Sequence, residues 1–162
     1  MIYVHIPFCR SFCTYCDFYS EIASASCRGR ESLDRFARAL EKEVELRSGE
    51  IRNNLLDHKT ADTLYIGGGT PSVLPLSVLE SLLDALHKAG VGKSFKEFTV
   101  EVNPDDIVEK GHSYVEGLLK LGVNRISMGI QSFDDGILKW MNRRHDAATA
   151  VSAYRILEDA GV

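Results

Sequence analysis

The sequence predicts an α/β fold: a parallel sheet of about four strand–helix units, with its chemically interesting residues gathered on one face. Three observations carry this. Short apolar runs of strand length alternate with longer stretches of helical periodicity, and a strand–helix–strand unit returns the chain in the same direction. A helix end, a glycine and then valine recur together at 86–91, 118–123 and 157–162. A motif of chemical interest stands directly after each predicted strand.

The elements follow in order. Residues 2–6 read as a buried strand, stopped by Pro7. A cysteine loop follows, and residues 19–30, rich in Ser20, Ala23, Ser24, Ala25, Ser26 and Gly29, read as loop. Leu33, Phe36, Ala37, Leu40 and Val44 recur at helical spacing with acids and Lys42 between them, which is one apolar stripe on an amphipathic helix. Thr63, Leu64, Tyr65 and Ile66 make a second strand that ends at the triplet Gly67-Gly68-Gly69. Leu79, Leu82, Leu83 and Leu86 mark a second helix. Residues 97–102 form a third strand with Glu101 at its end, and Val115, Leu118 and Leu119 mark a third helix. A fourth strand spans 125–130 and meets Gln131; a last helix runs from about 147 to 160. Each repeated glycine suits a left-handed helix cap. The third repeat stops where a fifth strand is expected, and an open four-stranded sheet leaves a long bare edge. The expectation is therefore a natural protein longer than these 162 residues.

Composition narrows the function. With 44% hydrophobic residues the chain has enough apolar material for one core, and its net charge of −4, without a basic block, argues against nucleic acid. No apolar run approaches the roughly 20 residues that span a bilayer. No export signal is visible, so the expected compartment is the cytoplasm, where thiols stay reduced.

Three of the four cysteines, Cys9, Cys13 and Cys16, fall within eight residues at the spacing C-x3-C-x2-C. Thiolates so placed can converge on a soft metal centre. Iron–sulfur clusters are usually held by four thiolates, so three leave one iron open for something else. A zinc site is the rival, with Cys27 or His5 as a fourth ligand, but no second C-x2-C pair follows. A disulfide framework is disfavoured by the odd set and the reducing compartment. The other motifs stand at the carboxyl ends of parallel strands, the end where βα barrels build their sites. Glycines after a strand let the backbone approach a ligand closely. Glu101 suits a sugar diol, Gln131 offers both a donor and an acceptor, and the Arg143 fork suits a carboxylate. Taken singly, each also reads as a turn, a solvated acid or a surface charge.

The cysteine spacing resembles that of the radical S-adenosylmethionine (radical SAM) proteins. Tyr3-Val4-His5-Ile6-Pro7-Phe8-Cys9 resembles the entry of their HemN/HemW branch, which holds oxygen-independent coproporphyrinogen III oxidases and HemW haem chaperones. The likeness continues through Gly67-Gly68-Gly69-Thr70-Pro71, Glu101-Val102-Asn103-Pro104, residues 127–133 and Asn142-Arg143, essentially the whole chain. It implies a partial (βα) barrel, with residues 1–162 as the N-terminal portion of the radical SAM core. It implies a [4Fe-4S] cluster on Cys9, Cys13 and Cys16, whose open iron takes the amino and carboxylate groups of SAM. In that superfamily the reduced cluster passes an electron to SAM, giving methionine and a 5′-deoxyadenosyl radical. Tyr3, Gly68 and Glu101 match contacts to this SAM; Tyr15, Gly69, Thr70, Gln131 and Arg143 match contacts to a second one. Cys27 matches nothing. The oxidases resemble C-x3-C-x2-C-G-C, whereas here Cys16 is followed by Asp17-Phe18, as in the HemW chaperones. The partners implied are haem, a haem-acceptor protein and an electron donor such as flavodoxin or ferredoxin; the oxidase, forming protoporphyrinogen IX, is the enzymatic alternative.

Overall fold

The computed structural model describes residues 1–23, 27–58 and 62–162. Its central sheet has four parallel strands, β1 (Ile2–Ile6), β4 (Thr63–Gly68), β5 (Glu97–Val102) and β6 (Arg125–Met128), side by side in that order. Two short strands, β2 (Phe8–Cys9) and β3 (Glu21–Ile22), form a separate parallel pair at the top of β1. The helices are α1 (Cys27–Leu46), α2 (Ser48–His58), α3 (Leu76–Lys88), α4 (Pro104–Lys120), α5 (Asp135–Trp140) and α6 (Ala147–Asp159). A 3-10 turn, Pro71–Val73, precedes α3, and α4 is kinked at Gly111. This is the predicted parallel α/β arrangement, each new strand adding beside the last.

Strand alternation sorts the side chains. Val4, Ile6, Leu64, Ile66, Phe98, Val100 and Val102 are buried in one core with Leu79, Leu82 and Leu86 of α3 and Ile107, Val115 and Leu118 of α4. Full burial of each such side chain contributes about 1.5–3 kcal/mol relative to exposure. The other face is polar. The register sets Tyr3 beside Tyr65, Tyr65 beside Thr99 and Thr99 beside Arg125 in one row across the sheet. One face thus holds the fold and the other is free for chemistry. Gly90, Gly122 and Gly161 take positive φ at the ends of α3, α4 and α6, and Val91, Val123 and Val162 each donate back into the last turn, the predicted cap geometry.

The structure departs from the sequence reading in four places. β1 is only half buried, because Tyr3 and His5 alternate to the polar face. The loop expected over 19–30 gives way to β3 and to α1 from Cys27; Ser24, Ala25 and Ser26 lie outside the described residues, as does the Cys27 side chain. Small residues weigh little against an amphipathic stripe, since Leu33, Phe36 and Leu40 pack on the core. Strand four ends at Met128 rather than 130: Ile130 donates to Met128 O at 3.0 Å and Gln131 turns to φ 67°, taking the chain out of the ladder. Helices α2 and α5 had no clear periodic signal. No helix among the described residues is long and apolar enough to cross a membrane.

Candidate functional site

The cysteine loop is held at its root and at its tip. At the root, Glu21 N donates to Pro7 O and Ala23 N to Cys9 O, both at 2.7 Å. Phe8 is buried, and its ring meets Phe36 of α1 edge-on at 5.2 Å, fixing the strand that delivers Cys9. At the tip, Thr14 N donates to Met141 O at 3.2 Å, Thr14 Oγ1 to Trp140 O at 3.2 Å, and Asn142 Nδ2 to Phe12 O at 2.6 Å. The end of α5 therefore clips a loop more than a hundred residues earlier in the chain. Asn142 adopts φ 56° to do so, a left-handed conformation that asparagine tolerates. Within the loop, Arg10 Nε lies 2.9 Å from Oδ1 of Asp106, and its Nη1 pairs with Glu109. The Nε contact is an ion pair off the hydrogen-bond line, because Oδ1 has no directed donor. Oδ2 accepts from Ser72 Oγ at 2.5 Å. Asp106 is 1% exposed; burial pushes its carboxyl above the ordinary range, although Ser72 and Arg10 oppose that.

Cys9, Cys13 and Cys16 are free thiols and border a cavity of about 230 Å³ at the carboxyl ends of the strands. Every residue matched to the cluster or to SAM in the sequence lines it, except Tyr3. Tyr3 stands on the polar face of β1, where its hydroxyl pairs with His5 Nδ1 at 3.1 Å. It borders a larger cavity of about 660 Å³ between β1 and the α1–α2 face, which no cysteine lines. The alignment of motifs predicted from strand ends is otherwise what the chain builds.

The glycine triplet is there to bring backbone close. Gly69 N donates to Ile6 O and Thr70 N to Phe8 O, both at 2.7 Å, extending the β1–β4 contact up to the cysteine loop. A Cβ on Gly69 would lie 2.6 Å from Phe8 O. Gly68 has φ 111°, and a Cβ there would meet the His5 ring at 2.7 Å. Gly68 N donates to Glu101 Oε2 at 3.1 Å, and Tyr65 OH donates to Glu101 Oε1 at 2.6 Å. That bond, with burial second, holds the Tyr65 phenol above its usual range.

Three residues connect the far side of the cavity to the thiols. Thr70 Oγ1 donates to Cys9 Sγ at 3.5 Å, and Arg143 Nη1 donates to Cys13 Sγ at 3.5 Å. Arg143 Nη2 donates to Gly129 O and to Asn103 Oδ1, both at 2.7 Å, and Asn103 Nδ2 donates to Thr70 Oγ1 at 3.2 Å. The guanidinium is thus largely occupied by the chain itself, and its buried Nε has no partner. Gln131 is exposed at the rim, and its φ of 67° is a conformation that non-glycine residues rarely adopt.

Asn103, Tyr65, Arg10, Asp106 and Ser72 were not singled out from the sequence. Asn103 sat inside a quoted motif, but an asparagine before Pro104 at a helix start reads as an ordinary N-cap. Tyr65 read only as a strand residue. Asp106 gave no signal, because its buried pairing with Arg10 spans 96 positions.

The donor set fits an iron–sulfur cluster. Three unpaired thiols share one cavity, two of them with hydrogen-bond donors on their sulfurs. A single zinc ion needs all its sulfur ligands at about 2.3 Å from one point. A cluster takes each thiolate on a different iron, and the three thiols share one cavity.

Comparison with known proteins gives the same direction. The sequence model of the radical SAM superfamily matches residues 3–162. The chain is 36% identical over 159 residues to the heme chaperone HemW of Lactococcus lactis, covering 98% of this chain and 38% of that one. It is 33% identical over 163 residues to the heme chaperone HemW of Bacillus subtilis, covering 98% and 39%. The chain thus spans about two-fifths of the length of these relatives. Among solved structures it superposes on the coproporphyrinogen III oxidase HemN of Escherichia coli with a TM-score of 0.81 at 27% identity, over 99% of this chain and 34% of that one.

Proposed function

This chain belongs to the radical SAM superfamily, and we propose that it is the cluster- and SAM-binding part of a HemW-type haem chaperone. Residues 1–162 are the N-terminal portion of its core domain; haem binding and delivery to an acceptor protein are functions of the whole protein. The observation that carries this reading is the sequence Cys16-Asp17-Phe18 at the cavity. Phe18 occupies the place of the extra oxidase cysteine and is 71% exposed, so no fourth thiol stands there. The relatives named HemW support it along almost the whole of this chain.

Cys9, Cys13 and Cys16 would hold a [4Fe-4S] cluster, which when bound supplies one-electron chemistry at an iron without a protein ligand. The chain's own residues prepare the place. Glu101 is held by Tyr65 and Gly68, and its remaining lone pairs suit a ribose diol. Gly68 and Gly69 present their backbone to the cavity beside Glu101. Gln131, Tyr15, Thr70 and Arg143 line the rest of the cavity, consistent with a second SAM contact set, whereas Tyr3 pairs with His5 and borders the neighbouring cavity. The electron comes from a flavodoxin- or ferredoxin-type donor, and the free thiols agree with a reducing, cytoplasmic compartment.

Anaerobic reconstitution of the full-length protein tests the reading. It should bind about four irons, hold haem tightly and pass it to an acceptor, without decarboxylating coproporphyrinogen III. Robust conversion of that porphyrinogen would instead support the second reading, an oxygen-independent coproporphyrinogen oxidase, which the fit to HemN favours. Metal that survives aerobic purification as zinc would contradict both.

A further inference from the structure

We propose that Asn103 is a positioning residue that aims two hydrogen-bond donors at the cluster thiolates, Thr70 at Cys9 and Arg143 at Cys13, and so raises the reduction potential of the cluster. The inference rests on the reading of Cys9 and Cys13 as cluster ligands.

Asn103 is the N-cap of α4, with extended φ −101° and ψ 147°, yet its side chain makes no capping bond. A capping asparagine ordinarily contributes about 1 kcal/mol by accepting from the first-turn amides. Here that contribution is forgone. Pro104 at N1 lacks an amide to cap, but the amides that follow it are available. The side chain turns the other way, into the cavity.

There its two ends are fixed by their neighbours. Guanidinium nitrogens only donate. Arg143 Nη2, at 2.7 Å, therefore requires the carbonyl oxygen of Asn103 to face it. The amide nitrogen must then face Thr70 Oγ1, at 3.2 Å, and donate to it. The Thr70 hydroxyl, accepting that bond, has one proton left to give. Thr70 is 4% exposed, and Cys9 Sγ stands 3.5 Å from its oxygen. So the polarity runs Arg143 to Asn103 to Thr70 to Cys9. The same arginine sends its other arm, Nη1, to Cys13 Sγ at 3.5 Å, and is steadied by Gly129 O. One asparagine thus couples donors from the β4 turn and from the segment after α5.

Hydrogen bonds to the sulfurs of iron–sulfur clusters are a recognised determinant of potential, together with net charge and burial. A reduced cluster carries one more negative charge, so donors on its sulfurs favour the reduced form. Asn103→Asp keeps the size and the Arg143 contact but replaces the amide donor by an acceptor. The Thr70 proton is then drawn toward residue 103 and away from Cys9.

The test is an EPR-monitored redox titration of the anaerobically reconstituted protein and its variants, at matched iron content. Thr70→Val should lower the equilibrium constant for one-electron reduction about three- to tenfold, tenfold being about 59 mV for a one-electron couple. Thr70→Ser, which keeps the hydroxyl, should return toward the parent value. An added carboxylate lowers the potential by charge alone, so Asn103→Asp is read in both the parent and Thr70→Val backgrounds. A route through the hydroxyl predicts a smaller shift in the second. Equal shifts in both backgrounds, or an unmoved potential in iron-replete Thr70→Val, would overturn the proposal. A further readout needs no variant to fold: the iron–thiolate stretching bands of the parent cluster should move on exchange into D2O, and unmoved bands overturn it too. If the parent protein takes up no cluster, the ligand reading itself fails, an outcome distinct from a cluster whose potential ignores Thr70.

Discussion

The Tyr65 hydroxyl donates a 2.6 Å hydrogen bond to Oε1 of Glu101, while the Gly68 amide holds Oε2 at 3.1 Å. Two strands and the glycine turn thereby fix one carboxylate at the cavity wall before any ligand arrives.

A carboxylate can satisfy both donors; an amide has only one acceptor oxygen. Glu101→Gln can keep its oxygen on the Gly68 amide only by turning its NH2 to the Tyr65 hydroxyl, which then accepts a neutral bond in place of donating to a charged group. Hydrogen bonds to charged groups contribute about 1.5–3 kcal/mol, which corresponds to a roughly ten- to hundredfold weaker SAM affinity. Iron uptake should not change, because no thiolate touches Glu101. Equilibrium binding of SAM to iron-replete protein checks this, and an unaltered affinity would remove Glu101 from the SAM site.

The close approach at Gly69 makes a second prediction. A methyl group there meets two backbone carbonyls, Phe8 O at 2.6 Å and Ile6 O at 2.9 Å, neither of which can swing aside. Gly69→Ala should cost about 1–3 kcal/mol and pull the root of the cysteine loop from β4. Gly49→Ala, in α2 with nothing within 4 Å of its Cβ, should be neutral or stabilising by up to about 1 kcal/mol. Urea denaturation of the two variants side by side provides the comparison, and a mild Gly69→Ala would contradict the packing described.

His145 supplies a pH dependence. It is 4% exposed, its Nε2 donates to Ile130 O at 3.0 Å, and its Nδ1 has no partner. Burial holds its pKa below the ordinary 6.5; the Arg143 charge adds to this, and the Ile130 carbonyl opposes it. A depressed histidine means that the fold prefers the neutral ring. The stability it contributes is present above 6.5 and is lost as pH falls through the lower folded value. His145→Gln can keep a donor on Ile130 O but cannot titrate. Denaturation midpoints between about pH 7.5 and about pH 5.5 should fall less in the variant than in the parent; equal falls would assign the acid sensitivity elsewhere.

How far the sequence could be read depended on whether a signal was local. The parallel sheet followed from runs such as Thr63–Ile66 and from the glycine caps at 90, 122 and 161, all within a few residues of one another. The convergence of Cys9, Gly68, Glu101 and Gln131 followed from one rule, that these residues stand at strand ends. What remained hidden is long-range. Nothing near Thr14 announces that its amide meets Met141, and nothing near Asn103 announces Thr70 and Arg143. Tyr3 shares the polar face with Tyr65 and Glu101, but it stands near the start of the edge strand β1 and borders the neighbouring cavity instead.

The central claim is that Cys9, Cys13 and Cys16, and no other thiol, hold the cluster. Iron analysis and visible absorption after anaerobic reconstitution of Cys13→Ala and Cys27→Ala test it most directly. Cys13 lies in the loop clipped by Asn142 and accepts from Arg143 at 3.5 Å, whereas Cys27 opens α1, eleven residues past Cys16. Three thiolates already leave one corner of a cube open, and losing another opens a second. The Cys27→Ala protein should keep about four irons and the broad visible absorption, and the Cys13→Ala protein should lose both. A Cys13→Ala protein that keeps its cluster while Cys27→Ala loses it would contradict the account.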